Sequence, residues 1–73
     1  MQRQNARVMV ASEYPEVRHL VSEVASRKSG AVIVGHAENG LKATTLARSV
    51  RPDVVLLDCH LPHAVGLDAV PLS

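Results

Sequence analysis

A chain of 73 residues can form one small domain, and a domain of that size buries only about 60% of its unfolded surface, so its stability is marginal. Its apolar content is 47%, drawn almost wholly from Val, Leu and Ala with Tyr14 as the sole aromatic, which suits layered packing of aliphatic side chains. The formal charge of +1 comes from eight Lys and Arg scattered among seven acids, a pattern without the basic stripe that nucleic-acid binding by this segment would need.

No apolar run approaches the roughly 18 residues of a membrane helix, and no leader pattern opens the chain. The single cysteine, Cys59, cannot close an internal disulfide. No membrane partner is expected, and a cytoplasmic setting is the default.

Arg7-Val8-Met9-Val10-Ala11 is short, apolar and β-branched, and it stops at the polar Ser12-Glu13, so it reads as a buried strand, β1. Pro15 then suits a first helical turn, where its missing N–H costs nothing. Val17, Leu20, Val21, Val24 and Ala25 follow at helical spacing and define α1. Arg27 and Lys28 oppose the negative end of its dipole, and Gly30 supplies a left-handed cap. Ala31-Val32-Ile33-Val34 reads as β2, closed by Gly35.

Asn39-Gly40 could turn a hairpin, but Ala43, Leu46, Ala47 and Val50 have helical spacing, so Asn39 reads as the N-cap of α2. Pro52 disfavours helical geometry at Arg51 and stops that helix near Val50. Val54-Val55-Leu56-Leu57 is β3, apolar throughout, as a strand covered on both faces should be. The tail from Cys59 to Ser73, with Pro62, Gly66 and Pro71, reads as loop with at most one helical turn. The order β-α-β-α-β implies parallel strands joined by right-handed crossovers.

With β1 central, the winding direction reverses between β1 and β3, and open α/β sheets bind ligands at such a point. Glu13 and Asp58 each follow the carboxyl end of a strand there. Two carboxylates on one rim suit Mg²⁺, which takes one or two carboxylates together with waters and phosphate oxygens. A metal at that place would screen the approach of a phosphoryl group to Asp58 and leave the carboxylate free to act as a nucleophile.

Three stretches carry a family resemblance. Val8 through Arg18 resembles the opening of receiver domains of LuxR-type transcriptional regulators. His36-Ala37-Glu38-Asn39-Gly40 with Ala43, Leu46 and Ala47 resembles their second helix, and Arg51 through Asp58 with Leu61-Pro62 and Gly66-Leu67 resembles their phosphoacceptor strand and loop. The resemblance runs from about Arg7 to about Val70.

It implies a flavodoxin-like doubly wound parallel sheet, truncated to β-α-β-α-β with strand order 2-1-3. Residues 1–73 would be a partial receiver domain, from β1 to the loop after β3, with no output domain. Asp58 would accept phosphate from a sensor histidine kinase, and Mg²⁺ would be held by Glu13, Asp58 and the backbone carbonyl of His60. Ser12 stands where the family has a second acid, so it would be a weak ligand and metal affinity should fall. The loop Leu61 to Gly66 keeps only the skeleton of the family's loop, and Pro71 falls where a third helix should be under way. The strands that carry the family's switch Ser/Thr and phosphate-binding Lys would lie beyond Ser73.

Plainer readings stand beside these. Asp58 also fits a turn residue ending a strand, Glu13 a favourable first-turn charge, and Ser12 a cap. Cys59, His60 and His63 match no standard zinc spacing and read as loop residues; His19 and His36 read as surface or strand-end residues. At the level of function, the alternative is a phosphorylation-independent receiver that acts as a protein–protein interaction module. A phosphatase with an aspartyl nucleophile would resemble Asp-x-Asp, whereas His60 holds the second place, so an enzyme is not expected. An unpaired apolar edge at β3 would favour a homo-oligomer or a swapped partner.

Overall fold

The computed structural model describes residues 5–58 and 69–71. Its sheet has the parallel order β2-β1-β3-β4, from β1 (Arg7–Ala11), β2 (Val32–Ala37), β3 (Val54–Leu57) and β4 (Ala69–Pro71). The expected order 2-1-3 is present within it. Two helices, α1 (Pro15–Ser29) and α2 (Gly40–Val50), connect the first three strands.

Local signals set most of the boundaries. Pro15 occupies the first turn of α1, and Gly30 closes it at φ 67°, a left-handed conformation that costs glycine nothing. Asn39 caps α2 by accepting the Lys42 N–H at 2.8 Å. That helix ends at Arg51, left-handed at φ 50° and followed by the Pro52 that bars it from helical geometry. Arg7 then secures the end of α2. Its guanidinium donates to the Val50 carbonyl at 2.7 Å, while its N–H donates to the Asp53 carboxylate at 2.8 Å.

Two expectations are corrected. β2 does not close at Gly35 but runs through His36 to Ala37. Val8 pairs with Ile33 and Met9 with Gly35, so Val34 is the extra residue of a bulge. A Cβ on Gly35 would stand 2.8 Å from Leu46 Cδ2. The glycine is therefore a place of close approach between α2 and the sheet, not a stop.

The second correction concerns the tail, expected as loop with β3 left as a bare edge. Ala69–Pro71 instead form β4, paired in parallel with Val55, Leu56 and Leu57. Pro71 explains part of this outcome: it holds Val70 in extended geometry, and a proline that cannot donate is tolerated at a sheet edge.

Side chains alternate across the strands and build two layers. Met9, Ala11 and Val55 point to α2 and pack with Ala37 and Ala43. Val8 and Val10 point the other way, with Ala31, toward Val21 and Ala25 of α1. Among the described residues no helix is long and apolar enough to cross a membrane.

Candidate functional site

The parallel register brings the ends of β1 and β3 level, with Ala11 opposite Leu57. Ser12 and Asp58 therefore leave the sheet side by side. Their backbones are fixed by ladder bonds: Asp58 N–H donates to the Ala11 carbonyl and Ser12 N–H to the Ala37 carbonyl, each at 3.0 Å. Between the side chains, Ser12 Oγ donates to Asp58 Oδ2 at 3.0 Å. Ser12 is fully buried at 0% exposure and Asp58 is half-buried.

Glu13, the next residue after Ser12, is solvent-exposed on the same rim. Tyr14, and not Ser12, is the N-cap of α1. Ser12 makes a shorter local turn instead, its Oγ accepting the Tyr14 N–H at 3.2 Å. Arg18, one turn into α1, donates from its guanidinium to the Ser12 carbonyl at 2.7 Å. Sequence reasoning assigned no role to that arginine. Its position on the first turn of α1, facing the strand end that precedes the helix, was the available signal.

His19 and His36 are exposed, as expected. His19 pairs with Glu23 at 3.2 Å and His36 Nε2 lies 3.1 Å from Ser22 Oγ. Both line a cavity of about 450 Å³ between α1 and β2, away from Asp58. Cys59, His60 and His63 lie outside the described residues, so the expected His60 carbonyl ligand does too.

The donor set fits Mg²⁺ by its chemistry. Ser12, Glu13 and Asp58 offer hard oxygens only, the donor type that Mg²⁺ takes. A hydroxyl has one proton and two lone pairs. Ser12 gives its proton to Asp58 and one lone pair to Tyr14 N–H, which leaves one lone pair for a cation.

The sequence matches the response regulator receiver domain over residues 8–72. The chain belongs to that family. It is 32% identical over 65 residues to the nitrate/nitrite response regulator protein NarL of Escherichia coli, covering 89% of this chain and 30% of that one. A second relative is protein-glutamate methylesterase/protein-glutamine glutaminase 4 of Myxococcus xanthus, at 35% identity over 63 residues, 86% of this chain and 18% of that one.

Among solved structures, a two-component response regulator of the LuxR family from an Aurantimonas species superposes with TM-score 0.74 at 32% identity. That match covers 81% of this receiver chain and 42% of the other. These likenesses bear out the resemblance to LuxR-type receivers and the flavodoxin-like fold. The receiver chain spans less than a third of the length of the curated relatives it matches.

Proposed function

We propose that this receiver segment takes up phosphate on Asp58 from a sensor histidine kinase, with Mg²⁺, as part of a cytoplasmic two-component regulator of transcription. One observation carries the reading: Asp58 stands at the carboxyl end of β3, level with Ser12 at the end of β1, where the sheet's winding reverses. A carboxylate oxygen of Asp58 forms a bond to phosphorus as the donor's own bond to phosphorus breaks. Glu13 and Asp58 would hold the ion, with the His60 carbonyl and, more weakly, Ser12. Mg²⁺ supplies screening of the incoming negative charge. The methylesterase named among the relatives shares only 18% of its length with this chain, so its activity is not carried over.

Acetyl phosphate tests the assignment, on the chain itself or on a longer regulator that carries it. Label is expected on Asp58, with none in Asp58→Asn and a shift to higher Mg²⁺ concentration in Glu13→Gln. Equal labelling of Asp58→Asn and the parent overturns it.

A second reading, a phosphorylation-independent interaction module, is favoured by Ser12, which stands in place of a carboxylate ligand and whose hydroxyl is held by Asp58 and Tyr14. Measurable Mg²⁺ affinity counts against it. Self-association of the chain also belongs to the proposal. It now rests on exposed Leu20 and Val24 of α1 instead of a bare β3, and a monomer across the concentration range in sedimentation would remove it.

A further inference from the structure

Ser12 is bonded at each of its polar atoms. Its N–H donates to the Ala37 carbonyl at 3.0 Å, its carbonyl accepts from Arg18 at 2.7 Å, and its hydroxyl joins Asp58 Oδ2 to the Tyr14 N–H. The direction of the hydroxyl is forced by its partners. An amide N–H can only donate, so a lone pair of Oγ faces Tyr14, and the hydroxyl proton is left for a carboxylate that can only accept.

Tyr14 carries the connection further. Its carbonyl accepts the N–H groups of Val17 and Arg18 at 3.1 and 3.0 Å, the first turn of α1. Arg18 then returns to the Ser12 carbonyl. The bonds form a closed ring from Ser12 through Tyr14 and Arg18 back to Ser12, with Asp58 attached at the Ser12 hydroxyl, and Glu13 lies within the stretch of backbone that the ring holds.

We propose that Ser12 is a positioning residue, whose hydroxyl couples the charge on Asp58 to the first turn of α1 and to the backbone that presents Glu13. A hydrogen bond to a carboxylate is roughly twice as strong as one to a neutral acceptor. Loss of that charge weakens the hold of Asp58 on Oγ, and with it the seat of the Tyr14 N–H. Phosphorylation would move the negative charge from the carboxyl oxygens onto the phosphoryl group; for that case the inference rests on Asp58 being the phosphoacceptor, and the coupling itself does not.

Amide hydrogen exchange of the intact 73-residue chain, followed by NMR, tests it without any phosphoryl donor. Asp58→Ala is expected to speed exchange at Tyr14 by about tenfold, the order of one charge-assisted hydrogen bond, and to leave Ile33 and Val55 in the sheet unchanged. In a Ser12→Ala background the same Asp58 change should add nothing. Ser12→Thr, which keeps a hydroxyl, should restore the response, and this variant with the parent decides the matter if Ser12→Ala loses structure.

Three results overturn the coupling: Tyr14 exchange that ignores Asp58→Ala, an equal increment with Ser12→Ala, or acceleration spread evenly over the sheet. A parallel sample with acetyl phosphate and Mg²⁺ should change the Tyr14 exchange rate relative to the parent. Absence of label there counts against the phosphoacceptor reading alone, because the Asp58→Ala arm still decides the coupling.

Discussion

The two faces of the sheet differ in how far they are closed. On the α2 face, Met9, Ala11, Ala37, Ala43 and Val55 are buried together, and Leu46, Ala47, Val50 and Leu57 pack around them. On the α1 face, Val8, Val10 and Ala31 are buried, yet α1 itself buries no residue, and Leu20 and Val24 are 63% and 47% exposed. Leu20, Val21, Val24 and Ala25 line a cavity of about 350 Å³ with Leu56.

The difference teaches that periodicity and burial are separate quantities. α1 has the longer apolar repeat in the sequence, five positions against four, but α2 is the better buried helix. Small residues account for this: Gly40 and Ala43 of α2, with Gly35 of β2, let that helix come close to the sheet. The larger Leu20 and Val24 reach beyond the surface that the described strands offer.

The comparison breaks most directly at Met9, which is 0% exposed on the closed face. Met9→Ala is expected to cost about 2–5 kcal/mol, a large share of the whole stability of a small domain. In urea the chain should lose its cooperative transition. Leu20→Ala on the open face should stay within about 0.5 kcal/mol of the parent. Similar losses for the two variants would mean that the faces are equally closed in solution.

Gly35→Ala gives a smaller effect and sharpens the same point. The added methyl would meet Leu46 Cδ2 at 2.8 Å, and overpacking of a formed core costs about 1–3 kcal/mol. The low end is expected, because the atom in the way is the mobile tip of a leucine. Combining it with Leu46→Ala should recover part of the loss in a double-mutant cycle. Strictly additive losses would show that close approach of α2 is not the glycine's purpose.

These residues also mark what could be read from the sequence. Pro15, Gly30, Asn39 and Pro52 act on their own backbone, so the ends of α1 and α2 were legible one residue at a time. Gly35 was misread as a stop because its reason lies in Leu46, eleven positions away on another element. β4 was missed because Val70-Pro71 fits an edge strand as well as a loop, and only the pairing with β3 separates the two. At the site, the pattern placed Asp58 and Glu13 at strand ends. It gave no direction to the Ser12 hydroxyl, which depends on Asp58 from another strand and on the turn to Tyr14.

The smallest effect lies on the solvent side of the better-packed helix. Lys42 Nζ donates to Glu38 Oε1 at 2.7 Å, between side chains that are 61% and 58% exposed. That hydrogen bond, and after it the charge of Lys42, holds the Glu38 carboxyl below the ordinary glutamate value. A carboxyl with a lowered folded-state pKa contributes stability that is full above its unfolded value and is lost as pH falls through the folded one. Here the contribution should be too small to see in unfolding curves, because an exposed pair is well screened. The titration itself is the sensitive readout. Lys42→Ala should move the Glu38 carboxyl, followed by NMR, up toward the ordinary value, and added salt should move the parent the same way but less far. If Lys42→Ala leaves the Glu38 titration where it was, the pair does not hold in solution and the outer surface of α2 contributes nothing to the contrast between the two faces.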